Sequence, residues 1–290
     1  MSVLRGAVVL LLLSINLCFW GALVLIVALP KFVLPQSSLR RRLILRLAAL
    51  GERWVEGNDR IFDRFLAIEW DIEGGDDLDP AARYLVFANH ISWADIFVLF
   101  RALHRRVALP RFFTKQELIW LPVVGQACSA LEFPFMKRYD ADYLARHPEK
   151  RGTDLETTRR ACERYRGIPV TILNFLEGTR FTREKHADQE SPYRFLLRPR
   201  TGGAAFVVSS FREQLQGILD VTIAYPGHVI SMSDFISGRV RRVSVRIRRL
   251  GVLPAFFTET ITEPGPAREQ FKAWVEGVWR EKDELLAKLV

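Results

Sequence analysis

The sequence predicts an α/β fold: a largely parallel sheet covered by helices, with an N-terminal membrane helix and a basic amphipathic helix ahead of it. Three observations carry this expectation. The apolar runs at 84–88, 168–175 and 221–224 have the length and composition of strands buried on both faces. Helix-period segments stand between them, the alternation that a parallel sheet needs. Before them lies 8–29, a run of 22 residues without a charge, which as a helix would be about 33 Å long and able to cross a bilayer.

Only Ser14, Asn16 and Gly21 interrupt that run, and no small-residue cleavage pattern follows before Pro30-Lys31, so a retained anchor is expected rather than a signal peptide. Arg5 precedes it, whereas Lys31, Arg40, Arg41, Arg42 and Arg46 follow, and this basic excess places the body in the cytoplasm. Residues 37–65 carry Leu39, Leu43, Leu47, Leu50 and Trp54 at spacings of three and four. The segment reads as an amphipathic helix, lying either on headgroups or against a core. Residues 1–66 are thus expected to form the membrane-anchoring helices, and 67–290 the α/β domain.

The body continues with a strand at 68–72, a Gly74-Gly75-Asp76-Asp77 turn, the 84–88 strand, and a helix over 95–103. A strand is expected at 111–115, a break at 122–125, and a short strand at 133–138 ending in the cations Lys137 and Arg138. Thr153 caps a helix over 154–166 that Gly167 stops. Residues 181–200 form a long polar loop, after which Thr201-Gly202-Gly203 opens a helix to about 215. That entry suits either a phosphate or a simple helix start. Residues 240–250 alternate, with Val243, Val245 and Ile247 on one face and Arg242, Ser244, Arg246 and Arg248 on the other, towards solvent or anionic lipid. Residues 266–289 close the chain as an amphipathic helix with Phe271, Trp274, Val278, Leu285 and Leu289 inward.

The chemistry is expected where the 84–88 strand ends, in Asn89-His90-Ile91-Ser92-Trp93-Ala94-Asp95. Five steps of about 100° turn Asp95 away from His90 on one regular helix, so His90 must precede the helix and Asp95 must lie in its first turn. Asp95 then reaches back to one ring nitrogen and leaves the other as a base for a hydroxyl proton. Ser92-x-x-Asp95 is equally a capping-box signature, and both readings stand at this point. Glu177-Gly178-Thr179-Arg180 leaves the end of the second buried strand, where an α/β fold collects functional groups.

Lys and Arg number 42 against 33 Asp and Glu, a net charge of +9 that favours anionic partners: nucleic acid, an acidic membrane surface or phosphorylated substrates. Cys18, Cys128 and Cys162 form neither a disulfide framework nor a zinc spacing. No G-x-S-x-G elbow for a serine hydrolase occurs.

Four ordered blocks within 84–228 resemble the PlsC-like glycerophospholipid acyltransferases, the family of the lysophosphatidic acid acyltransferases, in a divergent bacterial branch. They are His90-x4-Asp95, Phe135-Met136-Lys137-Arg138, Phe175-Leu176-Glu177-Gly178-Thr179-Arg180 and Val221-Thr222-Ile223-Ala224-Tyr225-Pro226. Leu176 stands where the family commonly has proline, and Met136-Lys137 departs from the usual second block. The resemblance implies a membrane-bound enzyme that moves an acyl group from acyl-CoA or acyl carrier protein to the sn-2 hydroxyl of lysophosphatidic acid. Another lysophospholipid acceptor, such as lysophosphatidylglycerol or lysocardiolipin, is the alternative, and a non-catalytic, basic, membrane-tethered binding protein is the alternative of a different class. His90 and Asp95 would be catalytic. Arg180, with Lys137 and Arg138, would meet the acceptor phosphate; Gly178 would let the backbone approach the ligand beside Thr179; and Glu177 would order Arg180 or an acceptor hydroxyl. The expected partners are the lysophospholipid, the thioester co-substrate and an anionic membrane surface, with no cofactor, metal or nucleic acid. The expected location is a bacterial inner membrane, the catalytic domain facing the cytoplasm.

Overall fold

The computed structural model describes residues 2–34, 37–136, 146, 160, 163–165, 167–211, 214–227, 231–251, 256 and 260–290. Lys137, Arg138 and nearly all of the helix expected at 154–166 lie outside these described residues. In chain order the elements are α1 (Ser2–Ala28), α2 (Ser38–Phe65), β1 (Glu69–Glu73), β2 (Arg83–Ala88), α3 (Ala94–Leu103), β3 (Pro110–Phe112), β4 (Thr114–Lys115), α4 (Val124–Ala130) and β5 (Phe135–Met136). They continue with β6 (Val170–Phe175), α5 (Arg183–Asp188), α6 (Gly202–Phe211), β7 (Gly217–Ala224), α7 (Met232–Ile236), β8 (Arg242–Leu250) and α8 (Pro266–Leu289).

Six strands build the main sheet in the order β1-β8-β7-β2-β6-β3, while β4 and β5 pair separately. β2 lies at the centre, parallel to both β6 and β7; β3 runs parallel to β6, and β1 to β8. The β7–β8 pair is antiparallel. Side chains alternate across β2: Leu85 and Phe87 join the core beneath α6 and α8, whereas Tyr84, Val86 and Ala88 join the core beneath α1, α2 and α3. This three-layer arrangement puts the ends of β2 and β6 at one rim, so residues 89 and 176 emerge side by side, while β7 runs three residues further, to Ala224, before Tyr225.

α1 is long and apolar enough to cross a membrane, yet it lies along the body instead of leaving it. Arg5 Nε donates to the Ser237 carbonyl at 2.8 Å, and Val9 and Leu13 are buried in the core shared with α2 and α3. Asn16 Nδ2 donates to the Trp54 carbonyl and to Asn58 Oδ1, both at 2.9 Å. At the far end Lys31 donates to the Ala130 carbonyl at 2.7 Å and pairs with Glu132 at 2.6 Å. The opposite face of the helix, including Leu4, Leu11, Ile15, Phe19 and Ile26, is exposed.

α2 starts where expected, with Ser37 as its cap, but its buried stripe is Ile44, Leu47, Gly51, Val55, Asn58 and Phe62. Of the stripe expected from leucine spacing, Leu47 is fully buried and Leu43, Leu50 and Trp54 are half-buried, whereas Leu39 stands 56% exposed. Packing against α1 decides the face here: the Asn16 amide bonds Asn58 and the Trp54 carbonyl, and bare Gly57 leaves room for it. The row of arginines on β8 differs too. Asp71 pairs with Arg242 at 2.8 Å and with Arg246 at 3.0 Å, and Asp220 pairs with Arg248 at 2.7 Å. These cations are neutralised by carboxylates, and the Arg242 and Arg246 bonds hold the Asp71 carboxyl well below the usual carboxylate range.

β7 extends back to Gly217, past the expected 221–224, and all eight of its residues are buried. Asp220 hid the first half from the apolar pattern. Its charge is met by Lys282 of α8, whose ammonium lies 2.7 Å from Asp220 Oδ1 and donates to the Val221 carbonyl at 2.7 Å. Both side chains are fully buried. On α8 the inward face is therefore Phe271, Val275, Val278, Trp279, Lys282 and Leu286, with Leu285 displaced from it. The expected polar loop over 181–200 holds one further element, the short helix α5 capped by Thr182.

Candidate active site

His90 follows β2 directly and Asp95 sits in the first turn of α3, as the spacing requires. The ring Nδ1 lies 2.8 Å from Asp95 Oδ2. That same oxygen accepts the backbone N–H of Ile91 at 2.6 Å and of Ser92 at 2.8 Å, so one carboxylate both starts the helix and holds the imidazole. The two readings of this stretch are thus one structure. The capping box itself is incomplete, because Ser92 Oγ accepts from Ala94 N at 3.3 Å rather than from Asp95 N.

Tyr225, just beyond β7, donates its hydroxyl to Asp95 Oδ1 at 2.6 Å. Burial and the neighbouring Asp95 charge raise the Tyr225 phenol well above its usual range, so it remains a donor. Asp95 is itself fully buried, and these four donors stabilise its charge. Since the carboxylate accepts, Nδ1 must carry the proton, and Nε2 of the neutral ring then bears the lone pair. Phe175 stacks on the imidazole at 3.9 Å between centroids, 17° from parallel, leaving the His90 side chain 14% exposed.

Two clamps hold this turn against the neighbouring strands. Asn89 uses both ends of its amide, donating to the Ile223 carbonyl and accepting from Ile223 N, each at 2.9 Å, in place of the strand ladder that has just ended. Glu177 accepts from His90 N at 2.8 Å through one oxygen and from Leu197 N at 2.9 Å through the other. Glu177 is 0% exposed, so it joins backbones rather than ordering Arg180 or an acceptor hydroxyl as expected. Burial pushes its carboxyl up to about 8, aided by the Asp95 charge and opposed by the two N–H donors and Lys282.

Gly178 has φ +69, a left-handed conformation that any side chain would strain. Thr179 Oγ1 accepts from Lys185 Nζ at 2.7 Å, and the same ammonium reaches the Arg180 carbonyl at 3.3 Å, so α5 steadies the turn. Phe181 N donates to the His90 carbonyl at 2.7 Å, which ties the far side of Arg180 to the histidine. Arg180 is exposed, its guanidinium 5.0 Å from the Trp93 ring centroid, and it has no carboxylate partner among the described residues. Of the expected site residues, the structure brings together His90, Asp95, Glu177, Gly178, Thr179 and Arg180. Tyr225, Asn89, Phe175 and Lys185 join them without having been expected. For Tyr225 the signal was present, a hydroxyl one position beyond a buried strand within the fourth block.

A family model described as Acyltransferase matches residues 69–226, which contain every group in this constellation. The chain belongs to the Acyltransferase family. This acyltransferase is 26% identical to lysocardiolipin acyltransferase 1 of Danio rerio, over 98% of its own length and 71% of that protein's. It is 28% identical to 1-acyl-sn-glycerol-3-phosphate acyltransferase gamma of Mus musculus, over 60% of the chain and 44% of that protein. Against lysocardiolipin acyltransferase 1 of Gallus gallus it spans 56% of the relative's length. The crystal structure of the 1-acyl-sn-glycerophosphate acyltransferase PlsC from Thermotoga maritima shares its fold, with a TM-score of 0.58 over 99% of this chain and 98% of that one at 19% identity.

Proposed function

We propose that the protein transfers a fatty acyl group from acyl-CoA or acyl carrier protein to the sn-2 hydroxyl of lysophosphatidic acid, with His90 as general base. The observation that carries this reading is the His90–Asp95 pair at 2.8 Å, its outer nitrogen beside a turn that presents Arg180. Nε2 takes the hydroxyl proton while the oxygen attacks the thioester carbonyl. The tetrahedral oxyanion then collapses, the C–S bond breaks, and Nε2 returns the proton to the departing thiolate. A thioester is already activated, so no covalent enzyme intermediate is needed, and base assistance of this kind contributes about 10²–10⁴ in rate. Arg180 pairs with the acceptor phosphate through its planar fork.

The site works at a membrane surface. α1 is bonded to the body at both ends and shows one apolar face, which supports insertion along the plane of one leaflet rather than a crossing. A lysolipid then reaches His90 without its chain passing through water, a step that costs about 0.8 kcal/mol per CH₂. The basic residues that follow α1 suit an anionic leaflet, such as the cytoplasmic face of a bacterial inner membrane. The similarity to lysocardiolipin acyltransferases favours a second reading in which the acceptor is a lysophospholipid with a larger headgroup. Purified protein supplied with each donor and a panel of lysolipids in mixed micelles is expected to release thiol and form phosphatidic acid. Absence of acyl transfer to every lysolipid with either donor overturns the proposal.

A further inference from the structure

We infer that Arg200 is a second phosphate-binding residue of the acceptor site, and that with Arg180 it selects an acceptor carrying a phosphate monoester. The inference rests on the acyl-transfer reading above and adds to it a determinant of acceptor choice.

Arg200 lies twenty residues beyond Arg180, yet the fold returns it to the same turn. Its backbone N–H donates to the Leu176 carbonyl at 2.6 Å, which lays the chain before α6 against the end of β6. From there its side chain passes over Gly178. A Cβ at position 178 would stand 3.0 Å from Arg200 Cδ, 3.4 Å from Nε and 3.6 Å from Nη1. The bare glycine therefore serves two ends: it takes the left-handed turn, and it lets a guanidinium rest on the backbone between Glu177 and Thr179.

The state of this cation is informative. Arg242, Arg246 and Arg248 on β8 are each bonded to carboxylates. Arg200 is exposed, and its guanidinium has no hydrogen bond or ion pair among the described residues. Among the described residues Arg180 has the Trp93 ring beside it and no carboxylate. The turn at 176–180 thus carries two guanidinium groups without counter-charge among the described residues, one above Trp93 and one above Gly178. Through Glu177 and Phe181 that turn is bonded to both the N–H and the carbonyl of His90.

Acceptor chemistry fits this spacing. In a 1-acyl glycerol 3-phosphate the reacting hydroxyl and the phosphate are separated by one short glycerol bridge, so a phosphate near His90 falls within reach of the turn. A phosphate monoester carries close to two negative charges at neutral pH and presents three oxygens, enough for two guanidinium forks. A phosphodiester headgroup carries one charge and has fewer free oxygens. Losing one fork should therefore weaken the monoester more than the diester.

The test is steady-state kinetics of the full chain and of Arg200→Ala, Arg200→Lys and Arg180→Ala, with lysophosphatidic acid and with lysophosphatidylglycerol as acceptors. Arg200→Ala is expected to raise KM for the monoester about tenfold to a hundredfold, the worth of one charge-assisted contact. The KM for the thioester should stay within about twofold. Arg200→Lys should recover part of the loss, and the monoester preference should shrink. A rise confined to the donor KM overturns the inference and assigns Arg200 to the donor's phosphate; equal losses on both acceptors, or none, also overturn it. Unchanged melting of Arg200→Ala separates these outcomes from misfolding. Should the wild-type chain transfer to no lysolipid, the acyl-transfer reading fails on its own account. Calorimetric titration of wild type and Arg200→Ala with glycerol 3-phosphate then still judges Arg200: weaker binding by the variant supports it, and equal binding sinks it.

Discussion

The Tyr225 hydroxyl donates to Asp95 Oδ1 at 2.6 Å, on the side of the carboxylate away from the oxygen that holds His90. The carboxylate is thus gripped from β7 as well as from its own helix. In Tyr225→Phe a buried charge loses one donor, at a cost of about 1–3 kcal/mol. Turnover should fall roughly tenfold as His90 loses its fixed orientation, while KM for both substrates moves little. A variant with wild-type turnover and melting would show that the bond is incidental.

His90→Ala should abolish acyl transfer while leaving the protein folded and membrane-bound, because the ring fills little of the core. Asp95→Asn should reduce turnover by about 10³–10⁴, since it both removes the charge and disturbs the tautomer. Thiol-release assays on protein of verified melting behaviour read both effects; persistent turnover in His90→Ala ends the general-base account.

Glu177 gives a pH dependence of known sign. Its carboxyl is pushed up to about 8 in the fold from an ordinary value of 4.5. Between these values the folded chain holds a proton that the unfolded chain has released, so this group's contribution is full at the acid end and is lost as pH rises. The slope is at most about 1.4 kcal/mol per pH unit. Glu177→Gln lacks the term, though its amide N–H₂ must face one of the two backbone donors and lowers both stability and turnover. Thermal melting from pH 5 to 8 should therefore show wild type declining relative to Glu177→Gln, and parallel curves would contradict the buried acid.

Lys282→Met should cost about 3–5 kcal/mol, because Asp220 loses its buried cation and keeps only Arg248. Pairing it with Asp220→Asn should restore a substantial part. Denaturant titration measures both, and a single-variant loss below about 1 kcal/mol would place the pair outside the stabilising core.

For the membrane, the informative substitutions lie on α1 rather than in its removal. Deleting residues 1–35 takes Val9 and Leu13 from the core and the Arg5 and Lys31 bonds from the body, so it unfolds what it is meant to release. Leu11→Asp with Phe19→Asp, both on the exposed face, should free folded protein from anionic vesicles in a flotation assay. Leu13→Asp should lower melting instead. Retention of the doubly substituted protein on vesicles would show that this face does not carry the attachment.

The sequence foretold best what short-range spacing controls. Five steps from His90 to Asp95 admit one geometry at a strand-to-helix turn, and Ser37 marks the start of α2 by capping chemistry. Contacts that join distant segments were hidden. Lys282 on an amphipathic helix and Asp220 in the middle of a strand each look like surface charges, and only their pairing across 62 positions makes both buried. The role of Glu177 was misjudged for the same reason, since nothing near it in the chain reveals that Leu197 N–H needs an acceptor. The face of α2 followed from α1, a partner whose apolar run has little periodicity to show which side packs.

The bond from Arg5 to the Ser237 carbonyl closes a loop of 232 positions, and this has a consequence for biogenesis. α1 is synthesised long before its seat on the sheet exists, because β7, α7 and β8 come from the far end of the chain. During that interval α2 and α3 can cover Val9 and Leu13 only in part, the strand partners being still unmade, and long-range closure of this kind is slow. The bilayer can hold the helix until the rest arrives, as a chaperone would. The end of α1 that carries Arg5 is therefore among the last parts of the chain to find its place.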